Sequence, residues 1–70
     1  MTTLTKVIGE NIKKVRESKH ISQHGLAREA EVSLSLLNWI ETGKRDNVTI
    51  RTLEKLGKVL GVTVAELVKA

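Results

Sequence analysis

His20 and His24 are the residues best suited to bind a metal or move a proton, and they stand four apart. That spacing makes a metal site only when both rings share a helical face and cysteines or carboxylates complete the set. Here the two straddle a helix start, the chain has no cysteine, and no carboxylate pair stands near. They read as exposed polar residues; a partial positive charge on either would favour a nearby phosphate. The serines lack the histidine and aspartate that would activate a nucleophile, and there is no glycine-rich phosphate loop. The expectation is therefore no enzyme, no catalytic residue, no metal and no cofactor. Lysine and arginine number 12 against 8 aspartates and glutamates, a net charge of +4. That balance suits a polyanionic partner without proving one.

The elements that must carry these side chains announce themselves by their starts. Ser22 can cap a helix, with Ile21 before it and Leu26 one turn in forming a hydrophobic staple. Ser33 does the same with Val32 and Leu37. Two capped starts eleven residues apart leave room for about two turns of helix and a short connection at 30–32. That is helix-turn-helix spacing. The first of the two helices has an N-terminus whose unpaired N–H groups and dipole can hold a phosphate.

Ile8, Ile12 and Val15 recur at helical spacing, which predicts a first helix over about 5–18 with Lys13, Lys14 and Glu17 on its other side. Glu10 is spaced to pair with Lys13 or Lys14. Gly43 can end the helix that Ser33 opens. A polar loop follows over 44–48. Thr49 then caps a fourth helix, stapled by Val48 and Leu53, with Ile50, Leu53, Leu56, Val59 and Leu60 on its buried side. Gly61 ends it. Thr63 and Glu66 form a capping box for a short fifth helix reaching about residue 69, stapled by Val62 and Leu67. Two glycines disagree locally: Gly9 and Gly25 fall inside helices, each costing up to about 1 kcal/mol against alanine.

Seventy residues make one domain, 1–70, and a chain this short buries only about 60% of its unfolded surface. With no proline, repeat or low-complexity run, there is no linker to divide it. Hydrophobic residues are 40% of the chain but come in ones and twos, and nothing approaches the run of about 18 that spans a membrane. The opening residues lack a signal-peptide core, so a cytoplasmic location is the default. An all-α bundle is the expected fold class.

The ordered set Ser22-Gln23, Leu26-Ala27, Ala30, Val32-Ser33, Leu37, Ile40-Glu41 and Gly43-Lys44-Arg45, continuing through Leu53, Leu56, Leu60-Gly61-Val62 to Leu67, resembles the repressor/Cro-type, XRE-like helix-turn-helix domains of phage repressors and small bacterial regulators. The resemblance covers about 8–68 and implies a compact five-helix, lambda-repressor-like bundle. It also implies a recognition helix at about 34–42 lying in the major groove of double-stranded DNA.

Carried over residue by residue, the resemblance assigns Leu34, Ser35, Asn38 and Trp39 to base reading. Ser22, Gln23, His24, Lys44 and Arg45, with Lys13 as a further candidate, fall to phosphate contacts. Arg16 and Glu41 match an internal ion pair of the family. The helical wheel agrees, placing Leu37, Ile40 and Glu41 together and Ser35, Asn38, Trp39 and Thr42 opposite, with Leu34 and Leu36 on the flanks. The sequence departs from the family in two ways. Gly25 stands where a glutamate often closes the capping box, and neither Arg nor Lys occurs between Arg28 and Lys44. Asn38 suits an adenine edge, and Leu34 or Leu36 a thymine methyl.

Three placements of Trp39 stay open: bent into the core, packed on sugar or thymine in the groove, or anchoring a protein partner. The expected function is sequence-specific DNA binding by a transcription regulator, as a homodimer on a palindromic operator, with no membrane or small-molecule partner. The dimer would form through the domain's own surface, with Val64, Leu67 and Val68 as candidates. The alternative keeps the fold and makes it a protein-interaction module, antitoxin-like or anti-repressor, acting through Leu34, Leu36 and Trp39.

Overall fold

The computed structural model describes residues 4–44 and 48–69. Five helices follow one another there: α1 Leu4–Ser18, α2 Gln23–Glu29, α3 Leu34–Glu41, α4 Ile50–Leu60 and α5 Val64–Leu67. No strand occurs among the described residues.

Four helices begin on the cap that the sequence predicts. The side chains of Ser22, Ser33, Thr49 and Thr63 accept the backbone N–H three residues on, from Gly25, Leu36, Thr52 and Glu66. Each bond satisfies a donor that the first turn leaves without a helical partner. At Thr63 the Glu66 carboxylate also reaches back to the Thr63 N–H, closing the capping box. The residues before the caps, Ile21, Val32, Val48 and Val62, are half-buried against the core.

Four helices also end alike. After α1, α2, α3 and α4 one residue turns left-handed: His20 (φ 57°), Glu31 (φ 57°), Gly43 (φ 73°) and Gly61 (φ 73°). The next N–H then bonds back into the last turn, as Ile21 to Arg16, Val32 to Ala27, Lys44 to Trp39 and Val62 to Gly57. Glycine makes this conformation cheap at two of the ends; histidine and glutamate adopt it at a cost at the other two.

The core joins Ile8 and Ile12 of α1, Leu26 and Ala27 of α2 with Ala30, Leu37 and Ile40 of α3, Leu53, Leu56 and Leu60 of α4, and Leu67 of α5. Helix α1 packs chiefly on α3, and α2 touches both α3 and α4. The α1–α3 crossing is close because of Gly9. A Cβ built there overlaps the Ile40 carbonyl oxygen and stands 3.0 Å from its carbon, so glycine is what lets α1 lie flush behind α3. Asn11 ties the other end of the bundle, donating its carboxamide to the Leu67 carbonyl at 2.8 Å and the Lys69 carbonyl at 2.7 Å.

Some expectations are corrected. Ile50 is 62% exposed, because it sits in the first turn of α4, where the correct direction on the wheel meets no packed neighbour. Helix α5 stops at Leu67, not near residue 69. Glu10 forms no ion pair with Lys13 or Lys14, and all three side chains lie in solvent.

Candidate nucleic-acid interface

Helix α3 divides cleanly. Leu37, Ile40 and Glu41 are buried, while Leu34, Ser35, Asn38, Trp39 and the C-cap Thr42 are exposed. The four residues expected to read bases therefore share one solvent face. The Asn38 carboxamide and the Ser35 hydroxyl make no hydrogen bond among the described residues. The Thr42 hydroxyl is already committed, donating to the Asn38 carbonyl at 2.8 Å. Trp39 is 45% exposed, which overturns its core placement. Leu36 is half-buried and packed against the core, so it is at most a partial member of any docking face.

Behind that face stands the one buried charged cluster of the described residues. Arg16 of α1 grips Glu41 of α3 bidentately, Nε to Oε2 at 2.8 Å and Nη2 to Oε1 at 2.9 Å. The side chains are 11% and 2% exposed. A planar guanidinium meeting a carboxylate in this fork is the geometry in which a buried pair compensates its desolvation best. The Glu41 bond raises the Arg16 pKa above the ordinary arginine value, against the opposing effect of burial. Arg16 Nη1 also donates to the Ile21 carbonyl at 2.9 Å, just ahead of the α2 cap. The predicted ion pair is present, and it does more than join two helices.

Gln23, the first residue of α2, donates its carboxamide to Glu41 Oε1 at 3.2 Å. That bond uses one of its two amide N–H groups; the other N–H and the carbonyl oxygen make no hydrogen bond among the described residues. This bond sets the N-terminus of α2 beside the last turn of α3. Ser22 and His24 flank it, both exposed, although the Ser22 hydroxyl oxygen already accepts the Gly25 N–H at 2.9 Å. Lys44 is exposed immediately after α3. Arg45 lies outside the described residues.

Lys6, which the sequence gave no reason to select, is exposed and lies against Gly43; a Cβ built on Gly43 would meet Lys6 Cγ at 3.7 Å. Its stem thus packs on the turn that ends α3. No local spacing links residues so far apart in the chain. Lys13 is exposed on α1. The shallow groove lined by Glu29, Ala30, Glu31, Lys55, Lys58 and Val59 includes none of these residues. Among the described residues no group of three or more His, Asp or Glu side chains is placed to hold a metal, and no helix is long and apolar enough to cross a membrane.

The Helix-turn-helix family model matches residues 12–67. The chain belongs to the helix-turn-helix family, of the XRE type. Control protein C.MunI of a Mycoplasma species is 38% identical over 60 residues, covering 84% of this chain and 80% of that protein. The HTH-type transcriptional regulator SinR of Bacillus subtilis (strain 168) is 41% identical over 61 residues, covering 87% of this chain. The helix-turn-helix chain spans only 55% of the length of SinR. A crystal structure of SinR, described as the master regulator for biofilm formation, in complex with DNA superposes with a TM-score of 0.85 at 40% identity, covering 89% of this chain and 98% of that one.

Proposed function

We propose that this chain is a sequence-specific DNA-binding transcription regulator, acting in the cytoplasm, with no catalytic role, and that α3 enters the major groove of double-stranded DNA. The observation that carries this reading is the exposed face of α3, Leu34, Ser35, Asn38 and Trp39, on a fold that superposes on SinR bound to DNA. Asn38 and Ser35 offer hydrogen bonds to base edges, and Leu34 and Trp39 offer apolar contact. Lys44 and Arg45, with Gln23, His24 and Ser22 at the start of α2, hold phosphates. Phosphate contacts supply most of the affinity and the α3 face supplies the choice of site.

One domain of this kind spans few base pairs, so the operator is a palindrome read by a homodimer. Val64 and Val68, both half-buried on the rim of the core, are the apolar residues offered to a second copy; Leu67 is fully buried and is not. A sedimentation profile that stays monomeric at tens of micromolar, alone and on operator DNA, would remove the dimer.

The function is tested by titrating the protein with mixed genomic duplex fragments at about 50 and 200 mM salt, following Trp39 emission and recovering what is bound. Binding that falls steeply with salt and enriches a palindrome is the expected result. Lys44→Ala should weaken binding to every sequence and lower the salt slope by about 1. Unchanged emission and mobility at both salts would refute the proposal.

A further inference from the structure

The major groove presents a different chemical demand at each base. Guanine offers two acceptors, met best by the paired donors of arginine or by lysine; cytosine offers an amino donor, met by a carboxylate. Adenine offers an acceptor beside a donor, met by the asparagine or glutamine carboxamide, and thymine offers a methyl, met by apolar surface. The side chains on α3 can be matched to this code one at a time.

No cation lies between Arg28 and Lys44, so α3 brings no guanine reader of the usual kind. Its one carboxylate, Glu41, has a side chain 2% exposed. Both its oxygens are occupied, one by Arg16 and the other by Arg16 and Gln23, which removes it as a cytosine reader. The Thr42 hydroxyl is donated to the Asn38 carbonyl. What remains outward is the Asn38 carboxamide, the Ser35 hydroxyl, and two apolar surfaces, Leu34 at 36% and Trp39 at 45% exposure. Leu34 and Asn38 lie one turn apart, and Trp39 follows Asn38 directly, so one carboxamide stands between two apolar patches.

Resting on the DNA reading above, we infer that α3 reads A·T base pairs: Asn38 takes an adenine edge, and Leu34 and Trp39 cover the methyl groups of thymines on the steps beside it. Ser35, able to donate or accept, does not discriminate. The methyls also account for the apolar surface. A leucine and a tryptophan facing hydrated polar base edges would gain nothing from docking, whereas each thymine methyl they cover is removed from water. The binding sites are therefore predicted to be A·T-rich in the half-site core. They should be sensitive to a chemical change, loss of a methyl, that leaves base pairing intact.

The test starts from a randomised duplex pool carried through rounds of selection on the intact protein. The selected duplex is then remade with deoxyuridine in place of thymidine, and separately with 7-deazaadenine in place of adenine. The expected result is A·T enrichment at the half-site core and a loss of about fourfold for each methyl covered, from the value of one buried carbon. Removing the adenine N7 under Asn38 should weaken binding to wild type but not to Asn38→Ala. Leu34→Ala, a change at an exposed helical position, should make the protein indifferent to uracil at one position while leaving the others sensitive. That selective loss separates a reading role from a structural one.

Salt-dependent binding that selects G·C at the core, or that ignores the uracil exchange at every position, would overturn the inference and leave DNA binding standing. No salt-dependent binding to any member of the pool would overturn the DNA reading and the inference with it.

Discussion

Replacing Gly9 by alanine sets two effects of opposite sign against each other, and their sizes decide the outcome. Gly9 lies inside α1, and helix propensity alone predicts a gain of about 1 kcal/mol from the change. Against it stands the α1–α3 crossing, where the new Cβ would overlap the Ile40 carbonyl oxygen and approach the Ile40 carbon at 3.0 Å and Glu41 Cα at 3.3 Å. All three atoms are backbone, so no side chain can swing aside. The helices must part by about 1 Å, and overpacking of this kind costs about 1–3 kcal/mol.

The parting also loosens contacts among Ile8, Ile12, Leu37 and Ile40, all buried, where a gap of about 0.5–1 Å forfeits a quarter to a half of each contact's attraction. We put the net loss at about 2–4 kcal/mol, and for a domain of this size each kcal/mol moves Tm by about 4–8 °C. Thermal unfolding followed by far-ultraviolet circular dichroism should show Gly9→Ala melting at least about 10 °C lower. Gly25→Ala is the control. Its Cβ would meet Ser22 Oγ, a side-chain atom, at 3.1 Å and Ile21 Cγ2 at 3.8 Å, so with no backbone in the way Gly25→Ala should melt close to the parent temperature. A Gly9→Ala protein that melts at or above the parent temperature would refute the steric argument.

Further outcomes follow from particular residues. Arg16→Ala leaves the Glu41 carboxylate buried without its cation and should cost about 3–5 kcal/mol, against no more than about 0.5 for Lys13→Ala at the surface; a melting temperature unchanged within error would remove the pair as a stabilising contact. Because Arg16's pKa is raised, its part of that stability is complete below the ordinary arginine range and fades only as the pH climbs past it, so guanidinium titration should produce no loss near neutrality. His20→Gly and Glu31→Gly should each stabilise by about 1 kcal/mol, relieving a left-handed residue that carries a Cβ; urea midpoints check both, and a fall in either would show that the side chain makes a compensating contact. Gln23→Met keeps the stem and deletes the carboxamide, so it should cost about 1 kcal/mol through the lost Glu41 bond and weaken DNA binding alike for every sequence, with the salt slope unchanged because a neutral carboxamide displaces no counterion. Unchanged affinity would confine Gln23 to the fold.

What the sequence made legible is local. A cap is a side chain bonded three residues along its own chain, so Ser22, Ser33, Thr49 and Thr63 could each be found from their spacing, and the division of α3 followed from its period. The helix ends at Gly43 and Gly61 were equally visible because glycine marks the left-handed turn. Those at His20 and Glu31 carry no such mark, since the same turn is imposed there on ordinary residues. Ile50 shows the limit of a wheel, which fixes a direction but not whether anything lies in it. Gly9 stood out only as a local disagreement, and its cause, the Ile40 carbonyl, is 31 residues away in the chain. The Asn11 bonds to α5 and the Gln23 bond to Glu41 likewise join elements whose separation no spacing rule addresses. The pairing of Arg16 with Glu41 was reached through family resemblance, not from the wheel, which showed only that Glu41 needed a partner.

The Glu41 carboxylate deserves its place as more than half of an ion pair, because three helices meet on it. Its Oε2 holds Arg16 of α1, and its Oε1 holds both Arg16 and Gln23, the first residue of α2, while Arg16 reaches on to the Ile21 carbonyl before the α2 cap. Since Glu41 itself ends α3, the angle between the phosphate-facing start of α2 and the base-facing side of α3 is fixed in the free protein. Fixing it beforehand reduces the ordering that binding would otherwise require. An apolar substitute for the pair therefore separates two roles that Arg16→Ala confounds. Arg16→Met combined with Glu41→Leu removes both charges and should fold with stability within about 1–2 kcal/mol of the parent, as exchanges of buried pairs for packed side chains often do. It nevertheless leaves Gln23 without its anchor, so DNA affinity should fall even at temperatures well below the melting transition, where the protein is fully folded. That loss should disappear when the same exchange is made in a Gln23→Met background. If the doubly apolar protein binds DNA as tightly as the parent, the junction stabilises the bundle and does nothing for the interface.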